Sequence, residues 1–222
     1  MDFSSKHVVI TGGTGALGSA VTGLLLAAGA HCTVPYRHAE QAQRIAHRDH
    51  PHMTLIATGD LADEAAVAKL YDELPAMTSI WASIHIAGGF ATGDVADTDK
   101  AALMAQIDGN LVSCFLCCRA AVRVMLAAGN GGRIVNVAAR PALEQRSGSG
   151  MSAYTIAKSG VVALTVALAE EVARDGILVN AVAPSIMDTA ANRQAMPKAN
   201  FDSWSKVEEV AATMLFLASP DN

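Results

Sequence analysis

The stretch HVVITGGTGALG, residues 7–18, joins a short run of β-branched residues to a glycine-rich turn. Val8, Val9 and Ile10 are typical of a buried strand, and an apolar helical pattern over 15–28 follows the turn directly. Glycines let the backbone turn tightly and approach a pyrophosphate, which then meets the positive end of the helix. Strand, turn and helix in this order predict a dinucleotide-binding unit.

The rest of the chain repeats this alternation of strand and helix. Strand-like runs occur at 7–11, 31–36, 53–57, 80–86, 132–138 and 177–182, and helical patterns at 15–28, 38–48, 63–74, 99–128, 151–174 and 206–218. Such alternation predicts parallel β-α-β units with right-handed crossovers. The predicted fold is therefore α/β, a Rossmann-type doubly wound parallel sheet in three layers. We find no linker and expect one domain over 1–222.

The composition excludes several classes of function. The 222 residues are 51% hydrophobic and carry a net charge of −5, with no basic cluster, so we expect no nucleic-acid partner. The longest apolar stretches, 101–128 and 160–173, are interrupted by charged residues such as Asp108 and Glu170, and we expect no membrane span. The cytoplasm is the expected location.

Four cysteines fit this location. Cys114, Cys117 and Cys118 lie in one helical segment, and Cys32 lies on a predicted strand. Zinc sites generally take ligands from two separated segments, so we interpret these cysteines as small buried apolar residues. No metal site is predicted.

The end of the second predicted strand bears on the choice of dinucleotide. NAD requires an acidic residue there for the adenosine ribose, but this chain reads Val34-Pro35-Tyr36-Arg37-His38. Arg37 can form charge-assisted bonds to a 2′-phosphate, which favours NADP, with NADPH preferred and NAD still possible. The alternative is a solvated arginine at a helix start. Asp60, after the third strand, is either an acceptor for the adenine amino group or a helix cap.

Tyr154 and Lys158 are separated by one turn of the predicted helix over 151–174 and project from the same face. A phenol has a pKa of about 10, and a neighbouring ammonium lowers that value. The pair can therefore exchange a proton with a substrate oxygen without a metal. The alternative is a tyrosine packed over a lysine stem.

With these motifs in order, the chain resembles the short-chain dehydrogenase/reductase family from Lys6 to Pro220. The resemblance implies hydride transfer between a nicotinamide and a carbonyl, imine or hydroxyl carbon, with Tyr154 as acid or base. Lys158 would bind the nicotinamide ribose and lower the tyrosine's pKa, and Asn110 would hold a water relay through a helix bend that Gly109 permits. The cofactor-binding residues implied are Gly12, Thr14, Gly15, Ala16, Leu17, Gly18, Arg37, Asp60, Leu61, Ala87, Gly88, Lys158, Pro184 and Thr189.

The chain departs from the family pattern in three places. Ala16 stands where the usual turn has glycine. No serine follows the fifth strand, where the chain reads Asn136-Val137-Ala138-Ala139-Arg140-Pro141 and the family's catalytic serine would polarise the reacting oxygen. The family's last strand is not present before Asn222, so we expect a truncated carboxyl end.

Because this serine is missing, the chain also partly resembles the dihydropteridine reductases within the family. Their substrate is already electron-poor, so the enzyme needs to polarise it less. We therefore expect a reductase of an activated small carbonyl, imine or quinonoid compound. Two alternatives stay open: a conventional alcohol or 3-oxoacyl reductase in which water or Asn136 replaces the serine, and a non-catalytic NADP-binding sensor or subunit.

Two further expectations concern the outer parts of the molecule. The segment from about 185 to 205 is predicted to form a lid over the site. The helical patterns at 99–128 and 151–174 are apolar around much of their circumference, which indicates burial on more than one side. We expect a homodimer or homotetramer with two-fold symmetry.

Overall fold

Six parallel strands form the central sheet of the computed structural model, which describes residues 1–74 and 79–222. The strands are β1 His7–Thr11, β2 His31–Tyr36, β3 Met53–Ala57, β4 Ile80–His85, β5 Gly132–Val137 and β6 Ile177–Val182. Their spatial order is β3-β2-β1-β4-β5-β6, which is the order of a doubly wound dinucleotide-binding sheet. All six predicted strands are confirmed to within one residue.

Helices cover both faces of the sheet. They are α1 Ala16–Ala27, α2 Ala39–Arg44, α3 Glu64–Asp72, α4 Lys100–Ile107, α5 Ser113–Ala128, α6 Arg140–Leu143, α7 Ser152–Val172, α8 Ala190–Ala195 and α9 Val207–Leu217. On one face α1 packs against α9, with Val21 and Leu25 buried beside Ala211 and Met214. On the other face α3, α5 and α7 share a second core. The three-layer α/β fold is therefore confirmed.

The predicted helix at 99–128 is interrupted. A π-helical turn over Asp108–Val112 separates α4 from α5, at the place where the sequence predicts a bend. Ser113 Oγ donates to the Gly109 carbonyl at 2.8 Å and so satisfies one backbone acceptor of the turn. The predicted helix at 38–48 is shorter than expected, because Ile45 leaves the helix in an extended conformation and its side chain enters the core.

Two helical spans, Lys100–Ala128 and Ser152–Asp175, are long and apolar enough to cross a bilayer by length and composition alone. Core helices of soluble proteins meet the same criterion, and both spans contribute residues to the core beside α3. We interpret them as core helices whose outer faces are also apolar.

The segment predicted as a lid has a small substructure of its own. β7 Met187–Asp188 pairs in parallel with β8 Ser205–Lys206, and α8 lies between them in sequence. Asp188 accepts from Arg193 Nε at 2.6 Å and Nη2 at 2.9 Å, and from Lys206 Nζ at 2.7 Å. These bonds join β7, α8 and β8.

Candidate active site

The turn after β1 packs so closely against its neighbours that two of its positions require glycine. Gly12 has a φ of +72°, and a Cβ there would lie 2.6 Å from the Ala87 nitrogen. A Cβ at Gly18 would clash with the Gly12 carbonyl. Only glycine fits at either position, because the turn, the helix and the end of β4 approach one another so closely.

The departure at Ala16 does not disturb this turn. Gly15 precedes the first residue of α1, and Ala16 occupies that first position, where its side chain is exposed. No side chain caps the amino terminus of α1, so its first N–H groups remain directed out of the helix. An anion such as a pyrophosphate is the kind of partner that such a helix end binds.

A cleft of about 940 Å³ runs along the carboxyl ends of the strands. Twelve of the predicted cofactor-binding residues line it: Gly12, Thr14, Gly15, Ala16, Leu17, Gly18, Arg37, Asp60, Leu61, Ala87, Gly88 and Thr189. The volume, the glycine cradle and the uncapped helix end suit a dinucleotide. We conclude that these residues fit a nicotinamide dinucleotide.

Arg37 and Asp60 lie together in the part of the cleft next to the ends of β2 and β3. Arg37 Nη1 is 2.9 Å from Asp60 Oδ2, and both side chains are about half exposed. Asp60 also accepts from the Ala62 nitrogen, but the helix cap of α3 is Asp63, so the interpretation of Asp60 as that cap is wrong. The paired side chains of Arg37 and Asp60 can therefore contact the same ligand.

Asn110 lies in the π-helical turn and is buried against the loop after β4. Its Nδ2 donates to the Gly89 carbonyl at 3.0 Å, and its Oδ1 accepts from the Gly89 nitrogen at 3.2 Å. A Cβ at Gly88 would lie 2.5 Å from Asn110 Oδ1 and 3.6 Å from Lys158 Nζ. Gly88 is thus the contact point between the cleft, Asn110 and Lys158.

Lys158 is buried, and its ammonium donates to the Val137 carbonyl at 2.7 Å. Burial lowers the pKa of Lys158 to about 8, because the charged form loses its hydration. The ammonium lies 5.9 Å from the centre of the Tyr154 ring. The two side chains therefore share one face of α7, as their spacing predicts.

Tyr154 is half-buried, with the Phe90 ring packed edge-on against it at 5.0 Å between centroids. Burial raises the pKa of the Tyr154 phenol. The expectation of a lowered pKa for Tyr154 is therefore wrong for the present arrangement, because burial of the phenol disfavours its charged form. The phenol is therefore protonated at neutral pH.

The position of the missing serine is occupied by apolar side chains. Ala138 and Ala139 follow β5 directly and are buried, and α6 begins at Arg140 with Pro141 in its first turn. Asn136 cannot replace the serine, because its side chain is fully buried and bonded to His85 and Thr165. That expectation is wrong.

Two predicted residues have other partners in the structure. Pro184 lies outside the main cleft, and its carbonyl accepts from the Arg140 nitrogen at 3.0 Å. Thr189 caps α8 by accepting from the Asn192 nitrogen at 3.1 Å, and Thr189 also lines the cleft. Neither arrangement tests a contact with a cofactor.

The sequence reasoning missed Gln41 as a site residue. Gln41 lines the cleft, and its Oε1 accepts from the backbone nitrogens of Arg37 and His38 at 2.9 and 3.1 Å. A glutamine three residues after a helix cap is the sequence signal that predicts this role. Phe90 was not predicted as a site residue either, and no sequence pattern indicates its contact with Tyr154.

Comparison with known proteins agrees with this geometry. A family model described as short chain dehydrogenase matches residues 6–200. Galactitol 2-dehydrogenase from Rhizobium johnstonii is 33% identical, over 96% of this chain and 88% of its own length. The 3-oxoacyl-[acyl-carrier-protein] reductase of Homo sapiens is 34% identical, over 83% of this chain and 76% of its own length.

Solved structures are similar as well. A tyrosine-to-phenylalanine variant of ElxO with NADPH bound matches with a TM-score of 0.89 at 26% identity, over 98% of this chain and 93% of ElxO. A short-chain type dehydrogenase/reductase from Mycobacterium ulcerans has a TM-score of 0.90 at 24% identity, over 100% of this chain and 86% of that one, and supports the fold. The chain therefore belongs to the short chain dehydrogenase family of oxidoreductases, which bind nicotinamide cofactors.

Proposed function

We propose that the protein is an NADPH-dependent reductase of an activated small carbonyl, imine or quinonoid compound. The observation that carries this proposal is the combination of Tyr154 and Lys158 on one face of α7 with an apolar Ala139 at the end of β5. The first two residues supply proton chemistry, whereas Ala139 supplies no hydrogen bond to the substrate. A substrate that is already electron-poor is compatible with both features.

Tyr154, Lys158 and Asn110 have separate roles in the proposed reaction. When bound, the nicotinamide supplies a hydride to the substrate carbon. Tyr154, with its raised pKa, donates its phenolic proton to the substrate oxygen or nitrogen. Lys158 is close enough to Gly88 to hold the cofactor's ribose beside that residue, and Asn110 fixes the backbone of Gly89.

The cofactor preference rests on Arg37. No carboxylate follows β2 until Glu40, and Arg37 presents a half-exposed guanidinium at the adenosine end of the cleft. A 2′-phosphate accepts charge-assisted hydrogen bonds from such a group. ElxO has NADPH bound in its solved structure, which supports the same choice.

A second candidate is a conventional alcohol or 3-oxoacyl reductase. The names of the galactitol dehydrogenase and 3-oxoacyl reductase relatives favour it. In that case an ordered water would replace the serine hydroxyl beside Ala139. A third candidate, a non-catalytic NADP-binding subunit, agrees with the apolar Ala139 but leaves the phenol of Tyr154 without a use.

A turnover screen separates these candidates. NADPH and NADH consumption is measured with product identification over quinones, pterins, imines, 3-oxoacyl thioesters and simple ketones. We expect turnover with the electron-poor classes. Ala139→Ser should leave that turnover unchanged and add slow reduction of simple ketones. No turnover in any class, before or after the substitution, would support the non-catalytic candidate.

The proton donor is tested by Tyr154→Phe, with Tyr36→Phe as the matched control at the other end of the cleft. We expect Tyr154→Phe to abolish turnover and to retain NADPH binding, because the ring still fills its place. Tyr36→Phe should remain active. Full activity in Tyr154→Phe would contradict the proposed role.

We also propose a cytoplasmic location and a two-fold symmetric homodimer or homotetramer. Four buried free cysteines support a reducing compartment. The exposed apolar faces of α5 and α7 support association with a second copy.

A further inference from the structure

A compact cluster of metal-ligating side chains lies inside the molecule, beneath the cleft. His85 ends β4, and Cys114 and Cys118 lie one turn apart on α5. One ligand atom from each of the three residues lies within 4.8 Å of the other two, and all three side chains are at most 5% exposed. Nothing in the proposed reaction uses this cluster.

A fourth donor atom completes the cluster. Asn136 Oδ1 on β5 lies 2.8 Å from His85 Nδ1, 3.3 Å from Cys114 Sγ and 3.5 Å from Cys118 Sγ. Cys118 Sγ is 3.4 Å from His85 Nδ1. Four electron-pair donors from two strands and one helix therefore lie within one small volume.

The orientation of the Asn136 amide is set by Thr165. The Thr165 hydroxyl donates to the Val161 carbonyl at 2.7 Å, so its oxygen is left to accept from Asn136 Nδ2 at 2.9 Å. Asn136 Oδ1 consequently faces the cluster. With neutral thiols and a protonated Nδ1, three donors would compete for the two lone pairs of this one oxygen.

We propose that His85, Cys114, Cys118 and Asn136 form a closed tetrahedral site for Zn²⁺. Zinc–ligand bonds of about 2.0–2.3 Å imply separations of about 3.3–3.8 Å between ligand atoms, a range that includes three of the four separations given above. The fourth, 2.8 Å between Asn136 Oδ1 and His85 Nδ1, would lengthen by about 0.5 Å on binding. Thiolate and imidazole are ligands that zinc prefers. Two thiolates neutralise the ion, so the buried site carries no net charge, and binding releases the two thiol protons.

The surroundings of His85 suit a metal ligand. His85 Nε2 is 2.9 Å from Ser83 Oγ, which is 2.8 Å from the Tyr71 hydroxyl, and that hydroxyl lies 3.2 Å from the Cys117 carbonyl. When Nδ1 binds the metal, Nε2–H donates to Ser83, Ser83 to Tyr71, and Tyr71 to the carbonyl. Each group then has one acceptor, which is the outer-shell support that zinc-bound histidines require.

The site would act as a structural clamp beneath the active site. It joins β4, β5 and α5. Each of these elements is next to a part of the active site: β4 leads to Ala87 and Gly88, β5 leads to Ala139, and α5 follows the turn that contains Asn110. All four positions around the metal are filled by protein, so no position is open for substrate. The cysteines of α5 alone do not form a zinc site, but the fold brings His85 and Asn136 from two strands beside them.

The test measures bound metal in the intact chain. Protein produced in zinc-supplemented medium is passed over a chelating resin and analysed for metal, and a Co²⁺-loaded sample is examined by absorption spectroscopy. We expect one zinc per chain and thiolate-to-cobalt charge-transfer bands with tetrahedral d–d absorption. Zinc should raise the Tm.

The variants assign the ligands. Cys114→Ala and Cys118→Ala should each lower zinc affinity more than about 100-fold, beyond the usual effect of an outer-shell loss. Ser83→Ala should lower it about 10- to 100-fold. Cys117→Ala is the matched control, because Cys117 is equally buried next to Cys118 but lies outside the cluster, and it should bind zinc normally.

Two results would overturn the proposal. One is a wild-type chain that holds no stoichiometric zinc and gives no thiolate–cobalt bands, a result that does not depend on any variant folding. The other is equal metal retention in Cys118→Ala and Cys117→Ala. Neither result bears on the proposed reductase activity, which is measured with NADPH.

Discussion

At the scale of single residues, the Arg37 guanidinium has two possible partners. One is the Asp60 carboxylate, and the other is the 2′-phosphate of the proposed cofactor. Its ion pair with Asp60 is half exposed, and such pairs contribute only about 0–1 kcal/mol. A charge-assisted bond to a 2′-phosphate contributes about 1.5–3 kcal/mol. In the proposed NADPH complex, the 2′-phosphate would therefore outcompete Asp60 for the guanidinium.

We expect NADPH to bind more tightly than NADH, and Arg37→Ala to reduce the ratio of the two affinities about 10- to 100-fold. Asp60→Asn, which keeps an oxygen for the Ala62 nitrogen, should instead increase the ratio by up to about fivefold, since Arg37 is released. Calorimetric titration with both cofactors gives these ratios. Equal affinities in the wild-type chain would contradict the preference.

The buried ammonium of Lys158 serves the proposed reaction but lowers the stability of the fold. Its pKa of about 8 in the fold lies below its ordinary value of 10.5, so charging it costs the folded state about 3 kcal/mol. Below pH 8 this cost is fully present, because both states are protonated. Between pH 8 and 10.5 the folded state releases its proton first, and the free energy of unfolding rises.

We therefore expect Lys158→Met to raise the free energy of unfolding at pH 7 by about 2 kcal/mol. This net gain is the cost of about 3 kcal/mol that the substitution removes, less about 1 kcal/mol for the lost hydrogen bond to the Val137 carbonyl. The gain should shrink by pH 10. Denaturant unfolding of the cofactor-free chain at both values measures it. Lys198→Met, at an exposed lysine, should change stability by less than about 0.5 kcal/mol. A destabilised Lys158→Met at pH 7 would contradict the argument.

At the scale of secondary-structure elements, Asp188 connects β7, α8 and β8 of the segment predicted as a lid. Its carboxylate is 10% exposed and accepts from Arg193 on α8 and Lys206 at the end of β8. These two cations hold the pKa of Asp188 well below its usual range. The two-point bond from Arg193 is the geometry that guanidinium groups favour.

We expect Asp188→Asn to loosen the lid without unfolding the sheet. Amide hydrogen exchange over 187–206 should become about tenfold faster, because the local opening is easier, while exchange in β1, β4 and β5 stays unchanged. Asp202→Asn, an exposed carboxylate on the same segment that interacts with Arg193 only through space, serves as the control. Unchanged exchange in Asp188→Asn would show that the lid is held by packing alone.

How far the sequence could predict these elements depends on how local their causes are. The run Val8 to Ile10 and the glycines after it specify β1 and its turn through neighbouring residues, and the same is true of the other strands. The π-helical turn at Asp108 was indicated by Gly109, but its type follows from the contacts of Asn110 with the loop after β4.

Contacts between distant segments could not be predicted in this way. Arg37 meets Asp60 because β2 and β3 are neighbours in register, and His85 meets Cys118 because α5 packs over β4. No periodicity encodes such pairings. The desolvation that raises the pKa of Tyr154 is likewise a property of the folded surroundings, which spacing along α7 does not reveal.

At the scale of the whole molecule, α5 and α7 present apolar side chains to the outside. Phe115 and Leu126 are 49% and 47% exposed and lie three turns apart on one face of α5, and Ile156 and Val166 are exposed on α7. Large exposed apolar surfaces of this kind mark protein contacts. A second copy placed across a two-fold axis would cover both helices.

We expect light scattering to give the mass of a dimer or tetramer at micromolar concentration, and Phe115→Glu with Leu126→Glu to shift the protein toward monomer, because a buried charge is costly. Phe216→Glu, on α9 and 47% exposed, tests the opposite face of the sheet and should leave the dimer intact. A monomeric mass for the wild-type chain would contradict this prediction.

The packing of α1 against α9 has a consequence for synthesis on the ribosome. The apolar side of α1, with Val21 and Leu25, is covered by α9, with Ala211 and Met214, which is synthesised much later. While α9 of a nascent polypeptide is still inside the exit tunnel, this apolar surface of α1 is exposed to water. Pairing of the strands does not cover it. Translation that stops early should leave a product that chaperones and proteases recognise, so a complete message is a condition for a stable protein.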